Sequence, residues 1–317
     1  MKKNNKEKVL ITGVAGFIGS NLANRLIKEG YEVLGIDTLE YGIKEQIPRG
    51  VKFFKRDIRS TNIYPLFKDV DYVFHLAAKN CLMDCQRDPV ETSDINITGT
   101  MNVFEAARRA CVKKIVYAET AALYEGVDKF PSIENKIKPQ GFYAISKLAN
   151  HYFAKAYKKF FGLESVGLRY FNVYGPQQDY RRSIPPVMSA FIIKLLSAKA
   201  PIIYGDGEQK RDFIYVDDIN DFHMLSIKTD QVNGRVFNLG SGKNYSVLEI
   251  YQIISNLLKV KIKPNFKEAL DYENKISLAD ISEARKLGWA PKTIIEVGLK
   301  NMISYIRKEI RAGNINL

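Results

Sequence analysis

The chain has 317 residues, 46% of them hydrophobic and 26% charged, the profile of a globular protein too long for one small core. Its net charge of +13 invites a nucleic-acid reading, but the lysines are spread out and no block of five or more appears. A solvated basic surface that attracts anionic nucleotides is the expectation, with no nucleic-acid partner.

Residues 1 to 8 are polar and lysine-rich with no apolar signal region behind them. No apolar run approaches the ~20 residues a membrane span needs, so a cytoplasmic protein without a membrane partner is expected. Cys81, Cys85 and Cys111 are an odd number with no secretion signal, which argues against a disulfide framework. Cys81 and Cys85, with Asp84 between them and His75 upstream, match no zinc spacing, so no metal site is expected.

In chain order, Val9 to Ile11 form an apolar run suited to a buried strand. Gly13, Gly16 and Gly19 follow at three-residue spacing, and Ser20 to Glu29 are amphipathic. Strand, glycine turn and helix start bring unpaired N–H groups and a positive dipole end to one point, where a pyrophosphate can sit. The expected contacts are Gly13, Gly16, Phe17 and Ile18, with Gly19 letting the helix pack closely on the sheet. A second strand, Glu32 to Ile36, ends at Asp37, about twenty residues past the loop, where a carboxylate binds a ribose 2′-hydroxyl. Asp37 would repel a 2′-phosphate and no basic residue follows it before Lys44, which favours NAD over NADP.

Val51 to Lys55 reads as a strand, with Asp57 and Ile58 after it, where a carboxylate can meet an adenine edge. The next strand, Asp71 to Leu76, runs into Leu76, Ala77 and Ala78, small enough at the last two to leave room for a ligand. His75 alone fits a satisfied core histidine better than a catalyst. A helix is expected over Val90 to Arg109, carrying Asn96, and a strand over Lys114 to Ala118. Repeated strand–helix units predict an α/β fold with a doubly wound parallel sheet and ligands at its carboxyl edge.

After the latter strand comes Thr120, whose hydroxyl can relay a proton or hold a substrate oxygen. In a helical segment from Phe142 to Phe160, Tyr143 and Lys147 are four residues apart and share one face. A tyrosine titrates near ~10, and a close cation favours its phenolate, so two or three units of lowering make a base near neutral pH.

Past Tyr170 the rhythm breaks at Gly175-Pro176, Pro185-Pro186, Pro201 and Gly205 to Gly207, with one helix over Pro186 to Ala198. Phe213 to Asp218 and Val236 to Leu239 read as strands that return to the sheet; Ser246 to Leu258 and Ile294 to Ile310 are amphipathic helices. A discontinuous organisation is expected: residues 1–170 and 205–243 as a dinucleotide-binding Rossmann domain, 171–204 and 244–317 as a smaller α/β substrate domain.

These pieces, from about Lys8 to Pro291, together resemble an extended short-chain dehydrogenase/reductase of the nucleotide-sugar epimerase/dehydratase family, most like its UDP-hexose 4-epimerases. The matching stretches are the spaced glycines, Asp57-Ile58, His75 to Ala78, Asn96 with Gly99-Thr100, and Tyr143 with Lys147. Leu168 to Pro176, Arg211 to Asp218, Asn238 to Gly242 and Asp280 to Trp289 complete the set.

The resemblance implies transient oxidation of a sugar, usually at carbon 4, with Tyr143 taking the hydroxyl proton, Thr120 steadying it and Lys147 holding the cofactor ribose. It adds Asn96 and Tyr170 to the NAD site and assigns Asn172 and Arg211 to the nucleotide diphosphate. Family dehydratases follow the catalytic threonine with Asp-Glu; Ala121 and Ala122 stand there, so an epimerase is expected rather than a lyase. Other implied chemistries are a reductase, a decarboxylase, a 4,6-dehydratase, or an epimerase at another carbon. A non-catalytic nucleotide sensor is the reading from another class, and intact Thr120, Tyr143 and Lys147 argue against it.

The sequence departs from the family pattern in three places: Glu119 for a serine, Glu125 before Gly126, and Ala269 to Glu273 for Arg-Pro-Gly-Asp, with Leu270 at the arginine. Ser277 corresponds to the position that gates an N-acetyl group, and its small side chain implies that N-acetylhexosamines are admitted. The resemblance further implies a homodimer through the Phe142–Phe160 helix and the one carrying Asn96.

Overall fold

The computed structural model describes residues 6–181, 185–269 and 275–315. The chain opens with strand β1 (Lys8–Thr12), helix α1 (Phe17–Lys28), then β2 (Glu32–Asp37), β3 (Val51–Lys55) and β4 (Tyr72–His75). Helices α2 (Leu82–Arg87), α3 (Pro89–Ser93) and α4 (Gly99–Arg109) lead to β5 (Lys114–Thr120), α5 (Phe142–Phe161) and β6 (Ser165–Tyr170). The expected single helix from Val90 is thus interrupted by a π turn at Asp94–Thr98, which swings Asn96 inward. Asn96 is fully buried and bonds both the N–H and the carbonyl of Lys79, at 2.9 Å each. Satisfying those two buried backbone groups is what the widened turn achieves.

The second half contributes β7 (Asn172–Tyr174), α6 (Val187–Leu196), β8 (Ile202–Tyr204), β9 (Lys210–Tyr215), α7 (Val216–Lys228) and β10 (Val236–Leu239). It closes with β11 (Asn244–Ser246), α8 (Val247–Leu258), β12 (Asn265–Lys267), α9 (Ser282–Arg285) and α10 (Ile295–Arg311). Helix α8 starts on a capping box in which the Ser246 hydroxyl and the Glu249 carboxylate exchange bonds with each other's backbone N–H.

Seven strands form one sheet in the order β10-β6-β5-β4-β1-β2-β3, every pair parallel. The order reverses between β1 and β4, and a crevice opens at their carboxyl ends. Core clusters cover both faces, one built on Val9, Ile11, Phe74 and Phe222, the other on Leu10, Val73, Phe104 and Ile115. A third core joins Phe191, Phe213, Ile250 and Met302.

The strand expected over Phe213 to Asp218 is a correction. It spans Lys210–Tyr215 and pairs with β7 and β11 in a separate three-stranded sheet, while Val216 already begins α7. The pleat explains the placement: Ile214 points to the main-sheet core, and Phe213 and Tyr215 to the third. Ala279, Ile281, Ala284 and Trp289 pack into the main-sheet core, with the Trp289 indole donating to the Asp218 carbonyl at 2.8 Å. Among the described residues no helix is long and apolar enough to cross a membrane.

Candidate active site

The glycine loop is shaped by what lies within reach of each missing side chain. Gly13 has φ +75°, and a Cβ there would stand 2.8 Å from the Ala77 nitrogen; at Gly19 it would stand 2.1 Å from the Gly13 oxygen. Its backbone is tied by Gly13 N–H to Ile36 O and Gly16 N–H to Gly13 O. Gly16 caps α1 without a side-chain bond, leaving the first-turn N–H groups of Phe17 and Ile18 for a ligand. Asp37 closes the loop from the end of β2, accepting from Ala15 N–H at 3.0 Å and Leu39 N–H at 2.8 Å. Burial pushes its carboxyl up, against the pull of those backbone donors.

Asp57 receives a two-point fork from Arg59, with nitrogens 2.6 and 2.9 Å from Oδ2, and Ile58 is buried against Gly99. Leu76, Ala77 and Ala78 follow β4, where Ala77 N–H donates to the Thr12 hydroxyl at 3.2 Å. His75 lies beneath them, bonded through Nδ1 to Thr12 and through Nε2 to Thr100. The Thr100 hydroxyl gives its proton to the Asn96 carbonyl, so Nε2 must donate and Nδ1 accept. Burial lowers this imidazole to about 3, which makes it a neutral structural strut.

Thr120 ends β5, and its oxygen accepts from Ala122 N–H at 3.1 Å, so its own proton is left for a ligand. Tyr143 is in the first turn of α5, half-buried, with the Lys147 ammonium 6.0 Å from its ring centroid. Lys147 is 2% exposed, and burial brings it down to about 8 against the opposing charge of Glu119. Ser146 locks this turn to the π turn, donating to the Tyr143 carbonyl at 2.8 Å and accepting from Asn96 at 3.1 Å. Tyr170 lies opposite Thr120 on β6, but its hydroxyl donates inward to His223 Nε2 at 2.7 Å.

The remaining three expected residues gather around the small sheet. Asn172 on β7 donates to the Asp212 carbonyl at 3.1 Å, and Arg211 on β9 to the Lys210 carbonyl at 3.0 Å. Ser277 N–H bonds Lys210 O at 3.0 Å, and its hydroxyl oxygen is enclosed with no hydrogen-bond partner among the described residues. Leu270 lies outside the described residues.

Two groups escaped the sequence reading. Asp212 is buried and accepts from Ser241 N–H and hydroxyl, Gly242 N–H and Ala279 N–H, which fixes the loops on either side of Arg211. A carboxylate set directly before the apolar run Phe213 to Tyr215 was the available signal. The other is a buried pair, Glu119 and Arg169, whose chain separation hid it.

The sequence profile described as the NAD dependent epimerase/dehydratase family matches residues 9–240. A UDP-glucuronate 4-epimerase of Thermodesulfobacterium geofontis is 36% identical over 95% of this chain and 96% of its own. The structure of UDP-glucose 4-epimerase from Thermotoga maritima with UDP-glucose superposes with a TM-score of 0.92 at 32% identity, covering 96% of this chain and 99% of that one. The UDP-N-acetylglucosamine 4-epimerase of Methanobrevibacter ruminantium in complex with UDP-N-acetylmuramic acid gives the same score, identity and coverage.

Proposed function

Because the chain belongs to the NAD-dependent epimerase/dehydratase family, we propose that it is an NAD-dependent nucleotide-sugar 4-epimerase, with a UDP-hexose or UDP-N-acetylhexosamine as substrate. The observation that carries this reading is the Lys147 ammonium 6.0 Å from the Tyr143 ring centroid at the start of α5, the helix that packs on β5, whose last residue at the carboxyl edge of the sheet is Thr120. The crevice fits a dinucleotide: Gly13 and Gly19 leave space that a Cβ would fill, and the uncapped α1 start and Asp37 suit a pyrophosphate and a ribose.

When bound, NAD supplies a hydride acceptor that is regenerated in each cycle. The protein's part is proton transfer and orientation. The Tyr143 phenolate takes the proton of the carbon-4 hydroxyl, and the Thr120 hydroxyl donates to the same oxygen. Lys147 stabilises the phenolate, as does the positive end of α5. The sugar then turns over, and Tyr143 returns the proton with the opposite face presented. Ala121 and Ala122 carry no group that moves a proton, so the keto sugar is not dehydrated. Asn172 and Arg211 are assigned to the diphosphate, with the guanidinium fork suited to its oxygens.

We keep as part of the proposal the division into residues 1–170 and 205–243 for the dinucleotide and 171–204 and 244–317 for the sugar, except that β9, which pairs with β7 and β11, is assigned to the sugar-binding part. The free thiols at Cys81, Cys85 and Cys111 suit a reducing cytoplasm.

Incubation with a panel of UDP- and dTDP-linked hexoses, N-acetylhexosamines and hexuronates, followed by proton NMR, tests the function. Interconversion at carbon 4 with no net change in NAD is expected. A lasting 4-keto-6-deoxy product, consumption of NADH, release of carbon dioxide or no turnover would each overturn it. Ser277→Tyr is expected to reduce kcat/KM for acetylated sugars tenfold or more and to spare plain hexoses; an equal effect on both removes the gating role.

A homodimer is proposed through α4 and α5. On α5, Ile145 and Tyr152 are seven residues apart on one face and 49% and 61% exposed, unusual for large apolar side chains. Tyr152→Arg is expected to halve the particle mass measured by light scattering. A monomeric wild type would defeat the proposal.

A further inference from the structure

Glu119 has no part in the proton transfer of Tyr143 and Thr120. It occupies the next-to-last place of β5, immediately before Thr120, and its carboxylate is wholly buried. Oε2 lies 2.6 Å from Arg169 Nε, directly across the β5–β6 ladder, and that arginine is itself 1% exposed. Oε1 is 3.2 Å from His151 Nδ1 and accepts from the Tyr117 hydroxyl at 3.1 Å. His151 is one turn beyond Lys147 on α5, hence on its face. Arg169 continues the network to the Tyr124 hydroxyl at 3.0 Å and the Glu134 carbonyl at 2.5 Å, and Tyr124 donates to Asn238 on β10 at 2.7 Å.

Stability is a weak reason to hold such a pair. Taking two charges out of water costs several kcal/mol per ion, and apolar residues of the same shape are often as stable. We infer that Glu119 is a positioning residue for the active site: its carboxylate, braced by Arg169 and His151, ties the strand end bearing Thr120 to the helix bearing Tyr143 and Lys147 and is the anion that Lys147 faces. This deepens the 4-epimerase reading and rests on it for its catalytic consequence.

The electrostatic surroundings agree. Among the described residues, Lys147 has Tyr143 and His151 on its own helix, His75 on β4, Cys85 on α2 and Glu119 on β5 around it. Glu119 is the one carboxylate of that set. Burial drives Lys147 toward its neutral form, and the charge of Glu119 is the largest influence opposing this. Glu119 in turn meets Arg169, Tyr117 and His151, with Tyr124 and Glu134 beyond Arg169. Its carboxyl is held below the usual range: burial works upward, and His151 and Arg169 together overcome it.

The test is Glu119→Gln, which retains the shape and removes the charge. In the unliganded protein, the Lys147 ammonium is titrated by nitrogen-15 NMR, with Lys147→Arg identifying its signal. The midpoint is expected to fall by about one pH unit or more. In turnover, the alkaline limb of the kcat profile is expected to fall by the same amount, with KM for the nucleotide sugar within twofold, and Glu119→Asp to restore the limb. A purely structural role would lower kcat equally at every pH and leave both midpoints in place, which would overturn the inference. Because the NMR titration needs no substrate, it judges Glu119 even if the sugar panel yields no product. Should Glu119→Gln fail to fold, Glu119→Gln with Arg169→Gln removes both buried charges, and the Lys147 midpoint must still fall.

Discussion

Tyr143→Phe is expected to lower kcat by three orders of magnitude or more, with the affinities for NAD and nucleotide sugar within about threefold of wild type. The phenol oxygen is the atom lost, and the ring that fills the turn remains. A positioned acid or base contributes roughly 10²–10⁴ in rate, so a thousandfold loss corresponds to about 4 kcal/mol of transition-state stabilisation. The size of the effect depends on whether a substitute exists nearby. His75 has both ring nitrogens bonded to threonines and a basicity pressed down to about 3. Lys147 is a buried ammonium that donates, and Ala121 and Ala122 are inert. Thr120 is a neutral hydroxyl that can pass a proton on but cannot hold a negative charge near pH 7. Steady-state rates by NMR or a coupled assay provide the measurement, and a loss of less than tenfold would remove Tyr143 from the chemistry.

The same geometry fixes the pH dependence. Lys147 must stay charged to favour the phenolate, and its ammonium has been brought down to about 8 by burial. Under the proposed mechanism kcat is therefore expected to fall as pH rises through that value, because the proton lost from Lys147 removes the cation beside the phenol, and a pH–rate profile measures it.

How much of this could be read from the chain follows the range of each interaction. The glycine turn and the Tyr143/Lys147 pair are local: spacings of three and four residues fix who shares a turn or a face. They were legible for that reason, as were β1, β2, β4 and β5, whose apolar runs are buried; β6, buried throughout, was not legible as a strand. The π turn at Asp94–Thr98 was not, because it exists to meet the Lys79 backbone, a partner elsewhere in the chain. Glu119 and Arg169 are joined only by the register of β5 against β6. Strand β9 illustrates the opposite failure: its apolar alternation is genuine, but it serves two cores at once, and periodicity names no sheet. Ser277 reaches the substrate-side sheet through a bridge in which Lys210 N–H bonds Lys275 O and Ser277 N–H bonds Lys210 O, which no pattern within either segment announces.

Gly19→Ala is expected to abolish measurable NAD binding and to lower the melting temperature by at least 5 °C, the largest effect of any single methyl group added to the loop. An added Cβ would stand 2.1 Å from the Gly13 oxygen and 2.9 Å from its carbonyl carbon. Those are backbone atoms, and Gly13 is held by its own N–H to Ile36 O at 2.8 Å, so neither side yields cheaply. Overpacking against movable side chains costs about 1–3 kcal/mol, and here α1 must lift from β1 instead. For a chain of this size each kcal/mol is worth roughly 2–4 °C. The first-turn N–H groups would move with the helix, and an anion site loses its force once those donors are displaced. Gly30→Ala separates this from a generic glycine effect. Gly30 has a positive φ, +91°, which helical Gly19 lacks, but among the described residues nothing lies within 4 Å of its Cβ position, so that variant carries backbone strain alone. It should bind NAD like wild type when both are measured by calorimetry. Equal losses in the two variants would mean that the close approach of α1 to the glycine turn does not govern the cofactor site.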